Sequence, residues 1–110
     1  MSGNLGVDAI LSNISESEVS SLLSDLVQID STNPDVPEKE IARFVADHLK
    51  ESGCEVDLQE VLPDRPNVIG RLRGAEGTPS FAFNTHIDVV PAGEGWSEKP
   101  FGGEIRDGRV

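Results

Sequence analysis

Ser80-Phe81-Ala82-Phe83-Asn84-Thr85-His86-Ile87-Asp88 is the stretch on which the architecture turns. Phe81, Ala82 and Phe83 put apolar groups on both faces of an extended segment, the pattern of a strand covered on both sides and therefore central in a sheet. Polar residues follow at its carboxyl end. α/β sheets bind ligands beyond the carboxyl ends of their strands, so His86 and Asp88 fall where chemistry is expected. The expected fold class is α/β, with two helices packed on a mixed, mostly parallel sheet.

Working upstream, Gly74 to Pro79 reads as a loop, and Asn67 to Arg73 as a strand carrying Val68, Ile69 and Leu72. Pro63-Asp64-Arg65-Pro66 turns the chain. Glu55 to Val61 alternates Val56 and Leu58 with Glu55, Asp57 and Gln59, as a half-buried strand does. A helix from about Val36 to Ser52 precedes it, with Asp35 and Glu38 as a capping box, Pro37 in the first turn and Gly53 as the stop. Its inner stripe is Ile41, Phe44, Val45 and Leu49.

An earlier helix starts after Ser15, whose spacing to Glu18 makes a second capping box, with Ile14 and Val19 at staple positions. Val19, Leu22, Leu23 and Leu26 form one apolar stripe, and Asp30 to Pro34 ends the pattern. Residues 1–14 read as a flexible tail or a weak first turn, and 15–110 as the domain proper.

Downstream, Pro91 to Gly103 is rich in Gly and suits a rigid loop held by Trp96 and Phe101. Asp107-Gly108 is a two-residue hairpin signal. Only Arg109 and Val110 follow it, so the stretch reads as cut within an element.

The 110 residues suit one domain, and an apolar share of 36% with 11 Gly brings the chain to the ~45–50% usual for folded proteins. The longest apolar runs are three residues, against roughly 18 for a bilayer span, so no membrane association is expected. Nine Lys and Arg against 20 Asp and Glu give a net charge of −11, which repels phosphate backbones and argues against nucleic-acid binding. The bland reading of that excess is a well-solvated acidic surface. The start carries no basic region or apolar stretch of signal-peptide type, so a cytoplasmic location is expected. The single cysteine, Cys54, can form neither an internal disulfide nor a multi-thiolate zinc site, and reads as a small buried packing residue.

Of the two histidines, His48 belongs to the edge of a helix. His86 stands two residues before Asp88, and in extended chain both side chains share one side. One could then ligate a divalent metal while the other fixes the imidazole tautomer. Taken alone, His-x-Asp is a weak signal that more often describes a hydrogen-bonded loop pair. Zinc needs about three or four protein ligands, and here only scattered carboxylates could join His86. No phosphate loop, Gly-x-Ser-x-Gly elbow or His-Glu-x-x-His helix is present.

Asn84-Thr85-His86-Ile87-Asp88-Val89-Val90-Pro91-Ala92-Gly93, with Trp96, Pro100-Phe101 and Gly103 to Val110 after it, closely resembles the first metal-ligand region of the co-catalytic zinc peptidases and amidohydrolases. That family holds acetylornithine deacetylase, succinyl-diaminopimelate desuccinylase, aminoacylase and the glutamate carboxypeptidases. The likeness extends upstream through Leu22-Leu23, Leu26-Val27, Ser31-Thr32-Asn33-Pro34 and Arg65 to Gly70, so it covers residues 15–110. Thr85 stands where the family usually carries Gly.

The resemblance implies the N-terminal portion of a zinc-exopeptidase-like catalytic domain. It implies that His86 is a metal ligand and that Asp88 is the catalytic acidic residue that steadies the site. The implied cofactor is a pair of divalent ions, zinc foremost, with cobalt or manganese as alternatives. The implied substrate is a small N-acyl amino acid or peptide cleaved at its amide bond, by a complete protein expected to be a homodimer. The bridging aspartate, the Glu-Glu pair and the later ligands of the family have no counterpart in 1–110, so these residues alone are expected to be inactive. The competing expectations are a self-standing, non-catalytic interaction module and a single-metal binding module using His86 and Asp88.

Overall fold

The computed structural model describes residues 6–110, among which lie three helices and a two-stranded antiparallel sheet. The order is α1 (Val7–Leu11), α2 (Glu16–Val27), α3 (Lys39–Glu51), β1 (Glu55–Leu62) and β2 (Arg65–Arg71). The chain divides into two compact units. One comprises the part up to Gln28 together with Gly95–Val110, and the other is Ile29–Glu94.

In the first unit, α1 occupies part of the stretch expected to be a tail or a weak first turn; residues 1–5 of that stretch lie outside the described residues. α2 begins as its sequence requires. Ser15 is extended, and its Oγ accepts a hydrogen bond from the Glu18 N–H at 3.3 Å, satisfying one of the donors that a helix start leaves open. The expected apolar stripe is corrected: Val19 and Leu23 are 56% and 47% exposed, whereas the buried residue is Ser24. Its hydroxyl donates to the Gly103 carbonyl. Gly103 has φ +63° and lies so close to α2 that a Cβ there would stand 2.6 Å from the Ser24 carbonyl oxygen. The covering backbone thus lands on the polar side of the helix. Trp96 and Phe101, expected to pack down the loop, are both exposed.

At Asp107-Gly108 both residues take positive φ, 51° and 71°, as a type I′ turn demands. Arg106 and Arg109 exchange backbone hydrogen bonds of 2.9 and 3.0 Å across it. The hairpin signal was therefore sufficient to locate the turn.

In the second unit, α3 packs against both strands. It starts at Lys39, later than expected, and the Asp35–Glu38 capping box does not form: Glu38 makes no side-chain cap and instead accepts a 2.7 Å hydrogen bond from Arg65 Nη1. The inner face is corrected too. Ile41, Ala42 and Ala46 are buried, while Phe44, Val45 and Leu49 are half-buried. Alanine, with nothing beyond Cβ, is covered where a helix lies nearest its neighbours. Gly70 on β2 serves the same close approach, since a Cβ there would meet Leu49 Cδ1 at 2.9 Å. Gly53, at φ +89°, ends α3, and the half-buried free thiol Cys54 bonds back through its N–H to the Leu49 carbonyl at 3.0 Å.

β1 and β2 form a hairpin through Pro63-Asp64, with Asp64 at φ +61°. The pairing runs from Glu55 opposite Arg71 to Glu60 opposite Pro66, then shifts before Leu62 meets Arg65. Arg71–Asp57 and Arg73–Glu55 ion pairs at 2.8 and 3.0 Å cross the ribbon.

The mixed, mostly parallel sheet is not what these residues form. Among the described residues the sheet is antiparallel, and parallel pairing is confined to an isolated bridge between Thr32 and Val89. Ser80–Thr85 is not a strand, and Phe81 and Phe83 are 83% and 90% exposed, their rings meeting edge to face at 4.9 Å. A strand with two apolar faces exists only when other strands pair with it and layers cover it. Among the described residues, none pairs with 80–85.

Candidate functional site

His86 and Asp88 meet in the second unit, on a segment held by the chain that follows Asp30. Three hydrogen bonds make the hold. Val89 N–H donates to the Ser31 carbonyl at 3.1 Å, Asn33 N–H donates to the Val89 carbonyl at 2.8 Å, and Ser31 Oγ donates to the Ile87 carbonyl at 2.8 Å. Thr32 and Val89 are thereby paired in parallel, with Ser31 almost wholly buried beneath them at 1% exposure.

The receiving segment is itself braced. Asp30 Oδ1 accepts from the Thr32 N–H at 2.9 Å and from its hydroxyl at 2.6 Å, closing an Asx turn. These bonds, the hydroxyl's foremost and the amide's next, hold the Asp30 carboxyl below the usual carboxylate range against a small opposing effect of desolvation. Arg65 Nη2 donates to the Pro34 carbonyl at 2.5 Å while its Nη1 holds Glu38, so the guanidinium ties the turn to the start of α3. The Asn33-Pro34 peptide is cis.

With 31–33 and 87–89 in register, three side chains come into line. Asn33 Nδ2 donates to Asp88 Oδ2 at 3.0 Å. The other carboxylate oxygen, Oδ1, lies 3.2 Å from His86 Nδ1, and the Asp88 backbone carbonyl lies 2.8 Å from the same nitrogen. A carbonyl can only accept, so the neutral imidazole carries its proton on Nδ1. Nε2 is then the lone-pair nitrogen, on a side chain 81% exposed. The Asn33 hydrogen bond is the main reason that the Asp88 carboxyl stays below the usual range; desolvation opposes it, and the backbone and His86 add to it.

This arrangement suits one ligand of a divalent cation: an accessible Nε2 with Nδ1–H directed at a carboxylate, which fixes the tautomer and strengthens the donor. A complete ligand set is another matter. Among the described residues no three His, Cys, Asp or Glu side chains gather as a metal group. His48 lies exposed on α3.

Sequence reasoning paired His86 with Asp88, and the structure brings them together. It singled out neither Ser31 nor Asn33 for any role. Asp88 and Asn33 are 55 positions apart, so no local period could join them. The available signal was the polar run Ser31-Thr32-Asn33 at a helix break, which by itself reads as a loop.

The chain is similar to a succinyl-diaminopimelate desuccinylase of Zymomonas mobilis, 48% identical over 69 residues that make up 59% of this chain and 18% of that protein. A desuccinylase of the same name from Methylobacterium radiotolerans is 36% identical over 94 residues, 81% of this chain and 23% of the relative. The likeness to these desuccinylases runs over most of the chain's own length. An N-formyl-4-amino-5-aminomethyl-2-methylpyrimidine deformylase of Halalkalibacterium halodurans is 28% identical over 113 aligned positions, 94% of this chain and 26% of that protein. The chain thus spans between 18% and 26% of the length of these three relatives. No family model matches the chain, and no solved structure matches it. Among the described residues no helix is long and apolar enough to cross a membrane.

Proposed function

We propose that these residues supply one metal ligand, His86, and its orienting carboxylate, Asp88, to a divalent-metal hydrolase that cleaves the amide bond of N-acyl amino acids or small peptides. The observation that carries this reading is the imidazole tied through Nδ1 to Asp88, leaving Nε2 as its lone-pair nitrogen, within a stretch similar to desuccinylases and a deformylase. Both relatives' names denote removal of an acyl group from nitrogen, which supports amide hydrolysis as the reaction type.

A pair of divalent ions, zinc foremost, supplies Lewis acidity toward a scissile carbonyl and toward water when bound. The contribution of this chain is positional. His86 offers Nε2, Asp88 keeps the proton on Nδ1, and the Thr32–Val89 pairing holds both on a braced backbone. With one imidazole–carboxylate pair and no grouped set of three ligands among the described residues, the 110-residue chain is expected to show no turnover of its own.

The test is a chimera in which the aligned segment of the Zymomonas mobilis desuccinylase is replaced by the matching residues of this chain. Desuccinylation should persist. His86→Ala should lower it by more than the ~10–100-fold typical of outer partners, and Asp88→Ala by an amount within that range. A folded, zinc-loaded chimera whose rate is indifferent to His86→Ala would refute the reading.

A further inference from the structure

We propose that Asn33 is a positioning residue for His86: its carboxamide pins one oxygen of the Asp88 carboxylate, so that the other stays on the imidazole Nδ1 and the ring presents Nε2 outward. The inference rests on reading His86 as a metal ligand, and it assigns the orienting task to a residue beyond the His-x-Asp pair.

The geometry carries the argument. A carboxylate on a two-bond stem rotates readily, and Asp88 is about one-third exposed, so nothing in a His-x-Asp spacing keeps Oδ1 beside the ring. Asn33 removes that freedom by donating to Oδ2 at 3.0 Å from a backbone which is itself bonded to Val89 at 2.8 Å. A carboxamide facing a carboxylate must present its NH2 side, since two acceptors would repel, and this settles the amide's orientation. The imidazole then has two acceptors on one N–H: the Asp88 carbonyl at 2.8 Å and Oδ1 at 3.2 Å. The carboxylate contact is the charge-assisted one and gives the stronger preference for a proton on Nδ1. An unconstrained neutral imidazole prefers the opposite tautomer, with the proton on Nε2, which would leave no lone pair there for a cation. For a ring as exposed as that of His86, holding the less favoured tautomer depends on these two acceptors staying in place.

The experiment reads the tautomer directly. Long-range proton–nitrogen correlation spectra of the 15N-labelled 110-residue chain, at a pH where imidazoles are neutral, should show His86 mainly as Nδ1–H. His48, exposed on α3, is the internal reference for an unconstrained ring. Asn33→Ala and the near-isosteric Asn33→Asp, which keeps size but loses the donor, should both move His86 toward the His48 pattern. The Thr32 and Val89 amide resonances, kept in place, would show that the paired backbone survives. A wild-type His86 that already resembles His48, or a His86 tautomer unchanged in both variants, overturns the role of Asn33. Zinc chloride added to the desuccinylase chimera, which carries the rest of that relative's chain, separates the ligand reading from the role of Asn33. A shift at His86 Nε2 with none at His48 supports the ligand reading, whereas no response at His86 in the folded chimera overturns that reading and the purpose assigned to Asn33 with it.

Discussion

Ser31→Ala removes one hydroxyl from the most deeply buried polar side chain of the second unit, and its consequences can be worked through atom by atom. Ser31 is 1% exposed, and its Oγ donates to the Ile87 carbonyl at 2.8 Å. The substitution deletes a hydrogen bond with a net worth of ~0.5–1.5 kcal/mol and leaves the Ile87 carbonyl without that donor, for which ~1–3 kcal/mol is the usual cost of a fully buried group. Ile87 is only half-buried, so water can partly replace the hydroxyl. A loss of ~1.4 kcal/mol follows, a tenfold change in an opening equilibrium. The loss should be local first. Val89 N–H, bonded to the Ser31 carbonyl, and Asn33 N–H, bonded to the Val89 carbonyl, should exchange with deuterium about tenfold faster in the variant. Urea unfolding should show a lower midpoint with an unchanged slope. Ser52→Ala, which removes an exposed hydroxyl bonded to the His48 carbonyl at 2.9 Å, is the control and should stay within ~0.5 kcal/mol. Unaltered exchange at both Asn33 and Val89 in Ser31→Ala would refute the claim that the buried hydroxyl holds these segments together.

Two further outcomes are expected. Gly103→Ala combines a positive φ of 63° with a Cβ that would lie 2.6 Å from the Ser24 carbonyl oxygen, so it should destabilise the first unit by ~1–3 kcal/mol, seen as a fall in thermal midpoint; an unchanged midpoint would show that Gly103 does not press on α2. The depressed pKa of Asp30 means that its stabilising contribution is fully present above the unfolded-state value and fades as pH falls through the lower, folded one. Thr32→Val, which removes the larger of the two bonds responsible, should raise the Asp30 midpoint in a carbon-detected NMR titration, and the stability gap between variant and wild type should shrink toward acid pH; a midpoint that does not rise would deny the hydroxyl that role.

The elements that local chemistry specifies were legible. Ser15 and Glu18 located the start of α2, Gly53 the end of α3, Pro63-Asp64 the β1–β2 turn and Asp107-Gly108 the final one, because each is a matter of a few neighbouring dihedrals and one or two short-range hydrogen bonds. The misreadings share a cause. Glu38 has the spacing of a cap, yet Arg65, 27 positions away, takes its carboxylate. Val19 and Leu23 have the spacing of a core face, yet Gly103 covers the side that carries Ser24. Phe81-Ala82-Phe83 has the composition of a buried strand, but strand formation requires pairing partners, and no described segment supplies one.

The same division runs through the site. The order of residues by itself determined that an imidazole and a carboxylate stand two positions apart, since that is a property of the covalent chain, and likeness of motif was enough to set the stretch beside desuccinylases. It could not say which way the ring faces. That was decided by the pairing of 31–33 with 87–89, which sets Asn33 against Asp88 across 55 positions and leaves Nδ1 two acceptors while Nε2 keeps its lone pair. The physical reason is that side-chain orientation depends on hydrogen-bond partners brought close by folding, and sequence separation carries no information about which they are.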